Sequence, residues 1–338
     1  MKMDNRHAMK QVIEEFRSFF GIKELPFSLV PNTQYFVSLP DHRECFSMLL
    51  FAIASGDGFI KVTGEVGTGK TLLCRRLLNS LDEQEYYTAY LPNPRLSPIE
   101  LKRALAKELQ VTKHDTIKDQ NLLDEINRGL IFLAQQNKKV ILVIDEAQAL
   151  PEESLEELRL LTNLETETHK LMQIVLFGQP ELDQILSQHH FRQLRQRITF
   201  SHLLDRLNKP AIRQYIHHRM MVAGYNGEPV FDNASINLLH KATQGTPRLI
   251  NIVCAKALLI AFSRGQQKVK KAMVRSALND TEGITYSRNW LLGWWVFFHL
   301  QTIIIILLDR IGFLATGRRS FIMSVVNDVL KNLDQRHA

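Results

Sequence analysis

Gly64-Glu65-Val66-Gly67-Thr68-Gly69-Lys70-Thr71 stands between a strand-like run, Phe59-Ile60-Lys61-Val62-Thr63, and a helix-like run, Leu72-Leu73-Cys74-Arg75-Arg76-Leu77-Leu78. Its spacing is G-x-x-x-x-G-K-[ST], that of a phosphate-binding loop in its expected strand–loop–helix setting. Glycines let backbone N–H groups curl round a phosphate with no side chain in the way. Lys70 is long enough to reach the β- and γ-phosphates, and the Thr71 hydroxyl is a hard oxygen ligand for Mg²⁺. The helix that starts here aims its positive end at the anion. The expected nucleotide contacts are Gly64, Glu65, Val66, Gly67, Thr68, Gly69, Lys70, Thr71 and Leu72. Glu65 and Val66 occupy the variable positions of the motif.

Seventy residues on, Val140-Ile141-Leu142-Val143-Ile144 is an unbroken apolar run, as a strand buried on both faces requires, and it ends in Asp145-Glu146. An acid at the end of such a strand can hold Mg²⁺, and the next one can polarise an attacking water. Thr71 and Asp145 are thus the expected metal ligands. Lys70, Asp145 and Glu146 are the expected catalytic residues.

Outward from these two stretches, strand and helix alternate. Tyr86–Leu91 reads as a strand. Ser97-Pro98-Ile99-Glu100 opens a helix with a capping box and Pro at the first position. Helices are expected near 119–136 and 152–163, and Leu171–Phe177 reads as another buried strand. This alternation predicts an α/β fold with a parallel sheet flanked by helices. Past about residue 204 strand signals stop. Helical spacing covers 208–222, 232–243, 247–263 and 269–279, punctuated by Gly224, Gly227, Gly245 and Gly265. The expected organisation is an N-terminal helical segment (1–58), a phosphate-loop core (59–204), an all-helical domain (205–282) and an apolar C-terminal segment with a short tail (283–338).

The 338 residues are 45% apolar and 23% charged, ordinary for a globular protein with room for two domains. Cys45, Cys74 and Cys254 show no metal spacing and read as small core residues of a reducing compartment. Residues 192–219 hold seven Lys/Arg and one acid, whereas 151–170 hold six Glu and two basic residues. Such complementary segments fit subunit packing; the basic one also fits nucleic acid. Trp290–Leu308, WLLGWWVFFHLQTIIIILL, is nearly continuous apolar sequence. At 1.5 Å per residue it spans ~28 Å, about a bilayer core, with tryptophans at one end. It predicts a single C-terminal membrane segment that holds the chain at the cytoplasmic face of the bacterial inner membrane. A buried or interfacial helix is the other reading of the same run.

With these motifs, Phe19-Phe20-Gly21, Pro26-Phe27-Ser28-Leu29, His42-Arg43-Glu44, VILVIDEAQAL, Phe177-Gly178-Gln179-Pro180-Glu181-Leu182, LRQRI and GTPRLIN, residues 18–282 resemble the AAA+ ATPases of the bacterial ExeA/GspA group. Within that group the likeness leans to ATPases of MSHA type IV pilus biogenesis. The resemblance implies a P-loop NTPase (AAA+) fold with a helical lid, ATP and Mg²⁺ as cofactors, and a homo-oligomer. It implies a first sensor at Gln179, where the amide would bond the attacking water or γ-phosphate, and a second at Arg248, coupling the lid to nucleotide state. It implies an arginine finger from a neighbouring subunit, with Arg197 preferred and Arg195 its rival. It also puts His42 near adenine. The implied work is assembly of an envelope machine, a type IV pilus or a type II secretion system, through an inner-membrane partner. The alternative is a DNA-associated transposition helper, favoured by the basic segment; a non-hydrolysing scaffold has no need of Glu146. Residues 323–338 resemble the opening of a different protein encoded beside such ATPases, and their spacing also fits an amphipathic helix.

Overall fold

The computed structural model describes residues 2–92, 94–110, 121–164 and 170–281. Strand β1 (Phe59–Gly64) is interior. It pairs in parallel with β4 (Met172–Gly178) on one side and with β5 (Ile198–Leu204) on the other. Strands β2 (Tyr86–Leu91) and β3 (Lys139–Ile144) complete a parallel sheet in the order β2-β3-β4-β1-β5. Every residue of β4 is buried, as are all of β3 after Lys139. This is why both read as unbroken apolar runs.

The period of two divides each strand between two cores. On one face Ile60, Val62, Ile141, Val143, Val175 and Phe177 meet helices α2 (Pro40–Ser55) and α3 (Lys70–Ser80). On the other, Phe59, Leu142, Ile144, Ile174 and Leu176 meet α4 (Pro98–Glu108), α5 (Leu122–Gln135) and α6 (Glu152–Leu161). Helix α4 begins with the expected capping box between Ser97 and Glu100. The short helices α7 (Glu181–Ser187) and α8 (Arg192–Arg197) lead into β5.

Strand β5 departs from the sequence reading, which has no strand there. It is an edge strand whose Thr199, Ser201 and Leu203 are exposed while its other side is half-buried. An edge offers no continuous apolar run to recognise, and only the β1 ladder places it.

Helices α9 (Lys209–Val222), α10 (Asn233–Thr243), α11 (Pro247–Ser263) and α12 (Lys271–Asn279) form a bundle after the sheet. Its core is shared with the start of the chain. Phe16 and Phe20 of α1 (Lys2–Phe20), then Ile22, Phe27, Tyr35, Val37 and Leu39, pack with Ile212, Ile250, Leu258 and Val274. The first 58 residues therefore divide: a strap up to Leu39 joins the bundle, and α2 joins the sheet. The three cysteines are buried, two beneath the sheet and one in the bundle.

The membrane expectation is corrected. Among the described residues no helix is long and apolar enough to cross a membrane. The most apolar long helix, α11, has 17 residues and carries Arg248 and Lys256, where a span needs ~20 residues with few or no charges. No apolar C-terminal helix is found among them; Trp290–Leu308 and the tail at 323–338 lie outside the described residues. The placement at the inner membrane by a C-terminal segment is withdrawn.

Candidate functional site

The loop after β1 is shaped by two left-handed glycines, Gly67 (φ 81°) and Gly69 (φ 105°). A β-carbon on Gly67 would sit 2.7 Å from the Arg248 Cβ, so the loop and α11 touch only because that position is bare. The Thr68 hydroxyl donates to the Glu65 carbonyl at 2.9 Å and pins the inside of the turn. Helix α3 starts at Lys70 with no side-chain cap, leaving its first N–H groups to face into the loop.

Lys70 is buried and donates to the Gly64 carbonyl at 2.6 Å and the Glu65 carbonyl at 3.0 Å. Burial draws its pKa down, opposed by the charges of Glu146, Asp145 and Glu65. A buried ammonium on loop carbonyls is poised to turn to an anion bound in the same turn. Asp145 is buried at the end of β3, and that burial raises its pKa. The Thr71 hydroxyl and the Glu146 N–H, which donates to Asp145 Oδ1 at 3.0 Å, oppose the rise.

Glu146 is half-buried with its backbone in the left-handed region (φ 55°). Burial pushes its pKa up, but two amide donors and the Lys70 charge outweigh it and hold the carboxyl below its usual range. The donors are Gln179 Nε2 at 3.0 Å and Gln148 Nε2 at 2.6 Å, both on Oε2. An ionised, oriented carboxylate is what a proton acceptor for water requires. Lys70, Thr71, Asp145, Glu146 and Gln179 are thus brought together at the C-terminal ends of β1, β3 and β4. Gln148 escaped the sequence reading; its place two residues after Glu146 was the only signal.

The helical bundle closes against the loop. The Arg248 N–H donates to the Gly67 carbonyl at 3.2 Å, while the side chain is exposed beside it. Arg206, in the link from β5 to α9, pairs with Glu65 at 3.5 Å and donates to the Gln244 side chain. So Glu65 does more than fill a variable position, while Val66 is exposed. His42 is buried rather than on the surface, its Nε2 3.3 Å from the Thr68 carbonyl. It lies in a cleft with Tyr35, Phe36, Leu72, Leu207 and Tyr215. The strap, the phosphate loop and the bundle each line this cleft, which is narrow, about 40 Å³.

Arg195 and Arg197 do not join the site. Arg197 precedes Ile198, which pairs with Phe59, whereas the loop follows Gly64, which pairs with Leu204. Six residues of strand, about 17–20 Å, separate them. Within its own chain Arg197 donates to the Arg159 carbonyl (2.8 Å), Thr162 Oγ1 (2.7 Å) and Asn163 Oδ1 (2.6 Å). Arg195 donates to the Leu186 and Ser187 carbonyls. The basic segment 192–219 is no single free face either: Arg219 is buried, Arg206 pairs with Glu65 and Arg213 bonds Asn233.

The residues fit a magnesium nucleotide. The turn offers backbone donors and a buried lysine to phosphates, and Thr71 with Asp145 offers hard oxygens to Mg²⁺. Comparison with known proteins agrees. A family model described as an AAA domain matches residues 53–186. General secretion pathway protein A of Aeromonas hydrophila is 40% identical over 278 residues, covering 82% of this chain and 50% of that protein. The chain thus spans about half the length of this relative. Together these findings make the chain similar to General secretion pathway protein A over the shared residues, without singling out pilus ATPases. Among solved structures, Cdc6p from Pyrobaculum aerophilum superposes with a TM-score of 0.61 at 17% identity, over 79% of this chain and 73% of that one. The Aeropyrum pernix ORC2 protein gives 0.56 at 15%, over 78% and 74%. At such identities the likeness concerns the fold, which is the P-loop AAA+ α/β fold.

Proposed function

We propose that this chain is an ATPase that binds and hydrolyses Mg·ATP and couples the cycle to assembly of a type II secretion machine. The observation that carries the reading is the convergence of Lys70, Asp145, Glu146 and Gln179 on the phosphate loop, with the helical bundle hydrogen-bonded to that loop at Gly67. The link to secretion rests on the relative's name, General secretion pathway protein A. An MSHA-type pilus is the finer alternative and rests on the motifs alone.

In this reading the loop N–H groups, Lys70 and Arg248 hold the phosphates, and Thr71 and Asp145 would hold Mg²⁺, which would supply charge neutralisation. Glu146 takes a proton from water through the carboxylate that Gln179 and Gln148 orient. Gln179, just past the end of β4, reports the state of that water to α7. Helices α9–α12 with the strap 16–39 act as the lid over residues 59–204. A neighbouring subunit supplies the finger, Arg197 or Arg195, since neither reaches its own loop. The partner is a component of the secretion or pilus machine.

The test is ATP turnover and nucleotide affinity of the full chain. Lys70→Ala should abolish binding, and Glu146→Gln should bind ATP but turn over at least ~100-fold more slowly, the scale of general-base loss. Wild-type turnover in Glu146→Gln would remove that residue from the chemistry. Strong stimulation of turnover by duplex DNA at low salt would replace the secretion reading with the transposition one. Loss of secretion in cells carrying Lys70→Ala would support the proposed role.

A further inference from the structure

Gln148 lies in the turn Ala147–Ala149 just after the acidic pair, half-buried. Its side chain works in two directions. Nε2 donates to Glu146 Oε2 at 2.6 Å, and Oε1 accepts the backbone N–H of Gln179 at 2.9 Å. The Gln179 side chain returns to the same Oε2 at 3.0 Å. These bonds close a ring linking the carboxylate after β3 to the end of β4. The bare backbone at Gly178 serves the packing of Leu182, whose Cδ2 would lie 2.8 Å from a β-carbon there; Gln148 Oε1, at 3.5 Å, would only be in ordinary contact. Glu146 also sits in the left-handed region (φ 55°), which a non-glycine residue keeps only if its surroundings hold it.

We propose that Gln148 is a positioning residue: it fixes the Glu146 carboxylate by one oxygen, anchors it to the Gln179 backbone, and leaves Oε1 to face water. The inference rests on the ATPase reading above and adds a residue to it. Among the described residues Gln148 hydrogen-bonds Glu146 and Gln179 and neither the loop nor Lys70, so its effect falls on turnover and spares nucleotide affinity. Both amides on one oxygen set the carboxylate's rotation, which a single donor leaves free. The arrangement also makes Glu146 sensitive to β4: a shift of Gln179 moves both donors together.

The test uses Gln148→Met, which keeps length and packing but removes both hydrogen bonds, and Gln148→Glu, which sets a second carboxylate against Glu146. With the full chain, ATP affinity should stay within about twofold of wild type. The kcat should fall about tenfold in Gln148→Met, the worth of one hydrogen bond to a charged group, and further in Gln148→Glu. In a Glu146→Gln background, Gln148→Met should add little. Wild-type kcat in Gln148→Met, affinity falling in step with kcat, or a full additive loss in the double variant would each overturn the proposal. Should the wild-type chain bind ATP without turning it over, the ATPase reading fails on its own. The contact is then judged by thermal unfolding: a double variant Glu146→Ala with Gln148→Met that loses less Tm than the sum of the single losses sustains it, and additivity overturns it.

Discussion

Replacing Arg219 should loosen the strap that walls the cleft beside His42. The guanidinium is 5% exposed, on α9. Its Nε donates to the Pro26 carbonyl at 2.6 Å, Nη2 to the Ser28 carbonyl at 3.2 Å and Nη1 to the Tyr215 hydroxyl at 3.1 Å. It lies 4.9 Å from the Tyr35 ring centroid and 5.6 Å from that of Tyr215. These acceptors are neutral, so the charge is held by carbonyls and ring faces. Arg219→Met keeps most of the stem and strands the buried Pro26 carbonyl, whereas the exposed Ser28 turns to water. At about 1–3 kcal/mol for the stranded buried group, less the relief of no longer burying a cation, the net cost is ~1–2 kcal/mol. Arg219→Ala adds a cavity and lost ring contacts, for ~3–5 kcal/mol in all. For a unit of this size a kcal/mol is worth ~2–4 °C, so Tm should fall by roughly 2–8 °C in Met and more in Ala. Thermal unfolding measures this, and hydrogen exchange locates the loosening in residues 26–37. ATP titration should show weaker binding with the phosphate loop intact. A Met variant as stable as wild type would refute the reasoning, since packing alone would then hold the strap.

Other outcomes follow from the same geometry. Arg197→Ala and Arg195→Ala should each be tested for ATP binding retained and turnover lost; restoration on mixing with Lys70→Ala chains, read as ATPase rate, identifies the finger, because an intact arginine then faces an intact loop across subunits. Gly245→Ala should cost more than ~3 kcal/mol in thermal unfolding: at φ 77° its new β-carbon would lie 2.0 Å from the Leu207 carbonyl oxygen, backbone that cannot give way. Burial holds the His42 imidazole below its usual pKa although the Thr68 carbonyl and Asp41 favour the cation, and His218 is lowered too, by burial, Arg219 and His217. Between the folded pKa and about 6.5 the unfolded chain binds more protons, so stability should drop as pH falls below ~6.5. In His42→Gln the Tm difference between pH 7.5 and 5.5 should shrink.

The sequence by itself determined the phosphate loop, the acidic pair and the strand–helix alternation. Each is local: glycine spacing sets a turn, and a strand buried on both faces must be apolar along its whole length, as β3 and β4 are. It also located α9–α12 and the cap of α4, since helix period and end signals lie within a few residues. Tertiary structure alone decided the rest. Strand β5 is an edge, with no buried run to betray it, and its address comes from hydrogen bonds to β1. Gln148 has no local mark of its role, which depends on β4 bringing Gln179 beside Glu146. His42 carries no local mark of burial; α2 folds it under the Thr68 carbonyl. Residues 16–39, distant in sequence from α9–α12, share one core with them because burial of apolar area is indifferent to chain order. The same indifference places the strap at 16–39 with the bundle rather than with the sheet.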